Sequence, residues 1–150
     1  MDRVAVALGS NLGERRAHLD SAVASLRSLI RGLTVSTYHD TVPVGVASPQ
    51  PLYLNAAAVG DTLLPARALL DALLGIESAR GRLRPHPNAP RTLDLDLILF
   101  GDAVIDEPSL TVPHPRFRDR RFVLEPLAEI APELRDPVTG KTVADLLAAL

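Results

Sequence analysis

Thr92-Leu93-Asp94-Leu95-Asp96-Leu97-Ile98-Leu99-Phe100 alternates apolar and acidic residues with the period of two that a β-strand imposes on its side chains, and it predicts a strand over Thr92 to Phe100. Leu93, Leu95, Leu97 and Leu99 are expected to enter one core together, which leaves Asp94 and Asp96 side by side on the opposite face. Two residues apart on a strand, their Cα atoms stand about 6–7 Å from each other. Carboxylates that close repel unless something positive lies between them. A few hard oxygen ligands suit magnesium, which keeps water and takes its remaining ligands from phosphate oxygens. The pair is therefore expected to hold one or two magnesium ions against a nucleotide triphosphate. Arg91 opens the strand and Arg82 and Arg84 lie on the loop before it, so guanidinium groups for phosphate are expected to converge there. Phosphoryl or nucleotidyl transfer is the chemistry that needs both sets. From the two acids alone, a strand with one solvated acidic face is the alternative.

Upstream of that strand, Val4 to Leu8 reads as a short apolar strand running into the turn Gly9-Ser10-Asn11-Leu12-Gly13, with Ser10 or Asn11 expected to cap the next helix. Leu19, Ala22, Val23, Leu26, Leu29, Ile30 and Leu33 recur every three or four residues, which predicts a helix from about Glu14 to Ile30. Leu33 to Thr41 alternates as one strand, Val42 to Leu52 is a proline-bearing loop, and Tyr53 to Thr62 is again a strand. Pro65 suits the first position of a second helix carrying Leu69, Leu70, Leu73, Leu74 and Ile76, which Gly81 ends. Downstream, Gly101-Asp102 turns the chain toward Val104-Ile105. Arg120 to Ile130 suits a helix interrupted by Pro126, and Thr142 to Leu150 a small terminal helix. Strand, helix, strand, strand, helix, strand is the order of a ferredoxin-like α+β sandwich, expected to have a mostly antiparallel sheet, helices on one face of it and extra C-terminal elements.

A chain of 150 residues suits a single domain over 1–150, with one core and a small-molecule cleft. The apolar fraction of 47% is ordinary, and the longest apolar runs are too short to span a bilayer or to serve as a secretory segment, so a cytoplasmic protein without a membrane partner is expected. The absence of cysteine excludes disulfides, thiolate zinc sites and a cysteine nucleophile. A net charge of −2 argues against a general nucleic-acid surface. Even so, Arg80, Arg82, Arg84, Arg91, Arg116, Arg118, Arg120 and Arg121 crowd one part of the chain, and as a group they suggest a local anion site.

Two further segments carry candidate contacts. Tyr53 and Asn55 share a strand face directly after the long loop, and a ring beside an amide can read a flat heterocycle by stacking and by paired hydrogen bonds. Phe122, beside Arg120 and Arg121, is a second stacking candidate among only five aromatic residues. Leu110-Thr111-Val112-Pro113-His114-Pro115 is a rigid approach to a histidine able to donate to phosphate. The Gly9–Gly13 turn lacks the lysine and spacing of a P-loop and reads as structural.

Taken together, Gly9-Ser10-Asn11-Leu12, Tyr53-Leu54-Asn55-Ala56-Ala57, Glu77 with Gly81-Arg82 and Arg84, Pro90-Arg91-Thr92-Leu93-Asp94-Leu95-Asp96 and Leu110-Thr111-Val112-Pro113-His114 resemble the 6-hydroxymethyl-7,8-dihydropterin pyrophosphokinase family nearly end to end. The resemblance implies ATP as co-substrate and transfer of its terminal diphosphate to the pterin hydroxymethyl group with release of AMP. It implies two magnesium ions on Asp94 and Asp96, a pterin ring between Tyr53 and Phe122, and its polar edge read by Asn55, Thr41 and the backbone at Val44. By the same likeness Glu77, Arg82, Arg84, Arg91, His114 and Arg120 fall where the family meets ATP, and Leu97 and Thr111 beside the adenine. Arg82, Arg91, Asp94 and Asp96 are the expected catalytic set, in a monomer with no nucleic-acid partner. The loop from Val42 to Leu52 and the proline-rich loop from Leu83 to Pro90 resemble mobile flaps.

The chain departs from that pattern at His86-Pro87-Asn88-Ala89, where an Arg-Trp pair is common, and at Val42, Leu74, Ser109 and Pro115. Two other readings are weighed: a two-metal nucleotidyltransferase, for which an acidic pI of about 6.1 is poor support, and a pterin or nucleotide sensor without turnover.

Overall fold

The computed structural model describes residues 1–42, 52–81 and 92–150. In chain order these form β1 (Asp2–Ser10), α1 (Arg15–Arg27), β2 (Arg31–Val35), β3 (His39–Thr41), β4 (Tyr53–Thr62), α2 (Ala66–Ala79), β5 (Asp94–Phe100), β6 (Ile105–Glu107), β7 (Leu110–Val112), a 3-10 turn (Phe117–Asp119), α3 (Arg121–Ile130) and α4 (Val143–Ala148). The main sheet has the order β2-β4-β1-β5, with β3 also on β4, and every pairing in it is antiparallel. Two βα units and the hairpin between them account for that order, and the ferredoxin-like expectation stands. No helix among the described residues is long and apolar enough to cross a membrane.

The helices do not all lie on one face, as the sequence had suggested. Val4, Val6 and Leu8 of β1 meet Leu19 and Leu26 of α1 and Leu69 and Leu73 of α2 on the first face. Ala5, Val59, Ile98 and Leu99 meet Leu124 and Leu127 of α3 and Val143 and Leu146 of α4 on the second. Each buried leucine contributes roughly 1.5–3 kcal/mol by leaving water, so a sheet apolar on both sides gains from two layers of helix. The four leucines of β5 divide accordingly. Val6 pairs with Leu97 but Ala5 with Leu99, so Ile98 is an extra residue in the ladder, and beyond this bulge the pleat reverses. Leu93, Leu95 and Leu97 enter the first core, while Leu99 enters the second. Strict alternation holds only as far as Leu97.

Three other expectations shift. Neither Ser10 nor Asn11 caps α1: Ser10 ends β1, both are fully buried, and Glu14 occupies the cap position without a side-chain bond. Pro65 stands just before α2 as its extended cap residue, and Gly81, at φ 75°, stops that helix in the left-handed region where glycine costs least. Pro126 sits inside α3 without interrupting it, buried in the face that packs on the sheet. The two-stranded β6-β7 sheet goes beyond the sequence reading, which placed only a turn there.

The C-terminal layer is tied by one buried ion pair. Asp136 is fully buried and accepts from Arg118 Nε at 2.5 Å and Nη2 at 2.9 Å, from Thr139 Oγ1 at 2.7 Å and from the Val138 N–H at 3.0 Å. Burial alone would raise its pKa, but these donors outweigh it and hold the carboxyl at about 2. A depressed carboxylate stabilises the fold above its ordinary pKa and loses that contribution as pH falls through the folded value. Asp136 is thus expected to contribute about 2 kcal/mol at neutral pH, fading between pH 4 and pH 2. Urea unfolding of wild type and Asp136→Asn should differ by at least that much at pH 7 and converge near pH 2. A constant gap across that range would show that the ion pair is not the source.

Candidate active site

Cross-strand register builds the site. Gly9 on the central strand β1 pairs with Asn55 of β4 on one side and with Asp94 of β5 on the other; one pleat further in, Ala7 pairs with Ala57 and Asp96. Directly paired residues share a face, so Asn55, Gly9 and Asp94 form one row and Ala57, Ala7 and Asp96 the next. Adjacent strands lie about 4.8 Å apart, so the amide of Asn55 and the first carboxylate are separated by roughly 10 Å across a floor that bears no side chain at Gly9. The row extends onto β3, where His39 pairs with Asn55 and Thr41 with Tyr53. Asn55 Nδ2 donates to Thr41 Oγ1 in a short bond.

The floor is open because residue 9 is glycine. A Cβ there would lie 2.9 Å from Asn55 Oδ1 and 3.5 Å from Tyr53 Cδ1. In the sequence Gly9 reads as part of a structural turn; the available signal was a glycine inside an apolar strand, which marks a close approach. Ser10, next to it, carries a buried hydroxyl with no hydrogen-bond partner among the described residues, so its removal forfeits no bond to them.

Asp94 and Asp96 are half-buried neighbours on the face that also carries α3. No cluster of three or more His, Cys, Asp or Glu able to hold a metal occurs among the described residues. Two carboxylates set over small residues fit magnesium, which binds through one or two carboxylates and keeps room for water and phosphate oxygens. His114 approaches the same corner. Its backbone N–H donates to the Ile98 carbonyl at 3.0 Å, and burial, with Arg120 and Arg116 adding to it against Asp94, holds its imidazole pKa down at about 4. At neutral pH it is an uncharged ring, able to donate one hydrogen bond. Arg120 reaches over the Phe122 ring with its guanidinium carbon 5.5 Å from the centroid. Neighbouring arginines of the cluster turn to other partners. Arg80 donates to His18, Arg118 to Asp136, and Arg121 to Glu125 and the Leu150 carbonyl.

Other candidates fall elsewhere in the fold. Glu77 is almost fully buried, and its Oε2 accepts from the Leu95 N–H at 2.6 Å. It thereby satisfies a backbone donor on the outer side of β5, which has no further strand beside it among the described residues. Leu97 is packed in the first core, so only its backbone is left to meet a nucleotide. Thr111 is exposed on β7, opposite Asp106. Val44, Arg82, Arg84, Arg91 and the sequence departure at 86–89 lie outside the described residues.

The class follows from fold and relatives together: this is a small α+β transferase. Solved structures of Plasmodium falciparum HPPK-DHPS share the fold over 99% of the chain, the wild type with pterin and p-hydroxybenzoate at a TM-score of 0.77 and 14% identity, and the wild type with SDX-DHP at 0.76 and 15%. The chain spans only 41% and 43% of those fused proteins. Residues 5–132 match 7,8-dihydro-6-hydroxymethylpterin-pyrophosphokinase (HPPK), and the chain belongs to that family. It is 46% identical to the 2-amino-4-hydroxy-6-hydroxymethyldihydropteridine pyrophosphokinase of Pseudomonas aeruginosa, covering 99% of this chain and 92% of that one. The enzymes of the same name from Synechocystis and Bacillus subtilis are 43% and 41% identical, over 95% and 90% of this chain and 73% and 81% of theirs.

Proposed function

We propose that this chain transfers the terminal diphosphate of ATP to the hydroxymethyl group of 6-hydroxymethyl-7,8-dihydropterin, releasing AMP, a step of folate biosynthesis. The observation that supports the reading is the single row Asn55–Gly9–Asp94, which sets an amide able to read a heterocycle and a carboxylate able to hold a metal on one open floor. Asn55 and Thr41 take the polar edge of the pterin, Tyr53 and Phe122 its two faces, and the ring lies over Gly9 so that its hydroxymethyl arm points toward β5. Asp94 and Asp96 would hold two magnesium ions, which when bound would supply neutralisation of the triphosphate charge and polarisation of the phosphorus under attack.

The hydroxymethyl oxygen attacks the β-phosphorus in line, the bond from that phosphorus to the oxygen bridging to the α-phosphate breaks, and AMP departs with that oxygen. The hydroxyl proton passes to solvent or to Asp96. Positioning and charge neutralisation supply most of the acceleration, as in other phosphoryl transfers. His114, uncharged, donates a hydrogen bond to phosphate while Arg120 supplies charge. Arg82, Arg84 and Arg91 are assigned to the phosphates on the family likeness, and the adenine lies beside the outer edge of β5 near Thr111.

The product nucleotide tests the reading. Incubated with ATP, magnesium and 6-hydroxymethyl-7,8-dihydropterin, the protein should release AMP and the pterin diphosphate in equal amounts. ADP in place of AMP would identify an ordinary kinase, and binding of both substrates without AMP would identify a sensor.

A further inference from the structure

A single extra residue decides which face of β3 looks into the cleft. The Ser36 N–H donates to the Ala57 carbonyl at 2.9 Å, and the Ala57 N–H to Ser36 Oγ at 2.9 Å, so Ser36 stands opposite Ala57. Three residues further on, His39 stands opposite Asn55, which is only two residues along β4. The surplus residue is an edge-strand bulge, and it reverses the pleat. In an unbroken strand Tyr38 and Asp40 would face the cleft, with His39 and Thr41 turned to the helices. Instead Tyr38 Oη donates to Asp20 of α1 at 2.6 Å, and Asp40 accepts from Arg15 of α1 at 2.9 Å. His39 and Thr41 are thereby left on the cleft side, where Thr41 accepts from Asn55.

The reversal leaves the Thr37 N–H outside the ladder, and a residue 92 positions away collects it. Glu129 Oε2 accepts from the Thr37 N–H at 2.6 Å, while Oε1 accepts from Thr37 Oγ1 at 2.7 Å and lies 3.0 Å from His39 Nε2. Glu129 is on α3, seven residues after Phe122; seven residues is nearly two full turns, so the two share a side of the helix. One carboxylate therefore fixes the bulge and the helix that carries Phe122 to each other.

We propose that Glu129 is a positioning residue for pterin recognition: by capturing the N–H that the bulge throws out of the sheet, it keeps β3 in the register that turns Thr41 onto Asn55. It does not touch substrate. The effect on catalysis rests on the pterin assignment of Asn55 and Thr41; the effect on register does not.

Glu129→Ala is expected to raise the KM for the pterin about tenfold and to leave the KM for ATP and kcat at saturating pterin within about twofold. Glu129→Gln, which keeps one carbonyl acceptor for the Thr37 N–H, should recover most of the loss. Substrate-free ¹⁵N spectra give an independent reading, with the Asn55 side-chain amide pair assigned by its disappearance in Asn55→Asp. These resonances should shift in Glu129→Ala and return in Glu129→Gln. Unmoved Asn55 resonances in Glu129→Ala, or an equal rise in both KM values, would overturn the inference. Shifted resonances with an unchanged pterin KM would uphold the register role and overturn the assignment of Asn55 to the pterin.

Discussion

Asp96→Asn is expected to lower kcat by about 10²–10³-fold, roughly 3–4 kcal/mol of transition-state stabilisation, while the fold stays intact. Asp96 stands opposite Ala7 and beside Asp94 on one face, so the substitution removes half the negative charge of a two-carboxylate site and leaves its shape in place. With one carboxylate remaining, the magnesium concentration at half-maximal rate should rise by at least tenfold, because affinity for a hard cation follows the number of charged oxygens. Asp94→Asn should behave alike, and the double variant should lose little beyond the first, since groups that act as a unit are not additive. The measurement is AMP release against magnesium at saturating ATP and pterin. Full turnover of Asp96→Asn at saturating magnesium would remove both its metal role and its role as proton acceptor.

Gly9→Ala should weaken pterin binding about 10- to 100-fold and leave ATP binding within a few-fold. Asn55 has little room to retreat from a Cβ at 2.9 Å, being almost fully buried and bonded to Thr41. Overpacking of this kind costs about 1–3 kcal/mol when neighbours shift to absorb it. Here the neighbours are Asn55 and Tyr53, so the shift falls on the surface proposed to read the heterocycle. Calorimetric titration with the pterin in the presence of a non-hydrolysable ATP analogue measures the loss, and titration with the analogue alone is the control. Undiminished pterin affinity in Gly9→Ala would show that the ligand does not lie over this floor. Gly60 makes a contrast: a Cβ there would lie 2.5 Å from Ile30 Cγ2 and 2.7 Å from the Arg31 carbonyl, away from the cleft, so its substitution should damage folding and not selectivity.

Much of this was legible in the residues. The period-two alternation of Leu93 to Leu97 placed Asp94 and Asp96 together, the same argument paired Tyr53 with Asn55, and the stripe through Leu19, Ala22 and Leu26 set the buried face of α1. These are local patterns, written within one strand or helix, and backbone geometry alone converts them into faces. Motif likeness, spread over the whole chain, then supplied the family, which periodicity could not.

Where the pleat reverses was not legible, because a bulge is decided between strands and not within one. The sequence from Leu33 to Thr41 alternates well enough to predict a single strand, yet the surplus residue at Ser36–Thr37 is held because Ser36 Oγ accepts from the Ala57 N–H and Glu129 accepts from the threonine N–H. Leu99 likewise reads as a partner of Leu97 until the pairing with Ala5 turns it toward α3 and α4. By itself the sequence determined the order of the main strands and helices, the acid pair and the family; tertiary structure decided which side of the sheet each half-strand presents. The physical reason is that a one-residue slip changes every later side chain's face, and only partners far along the chain can stabilise it.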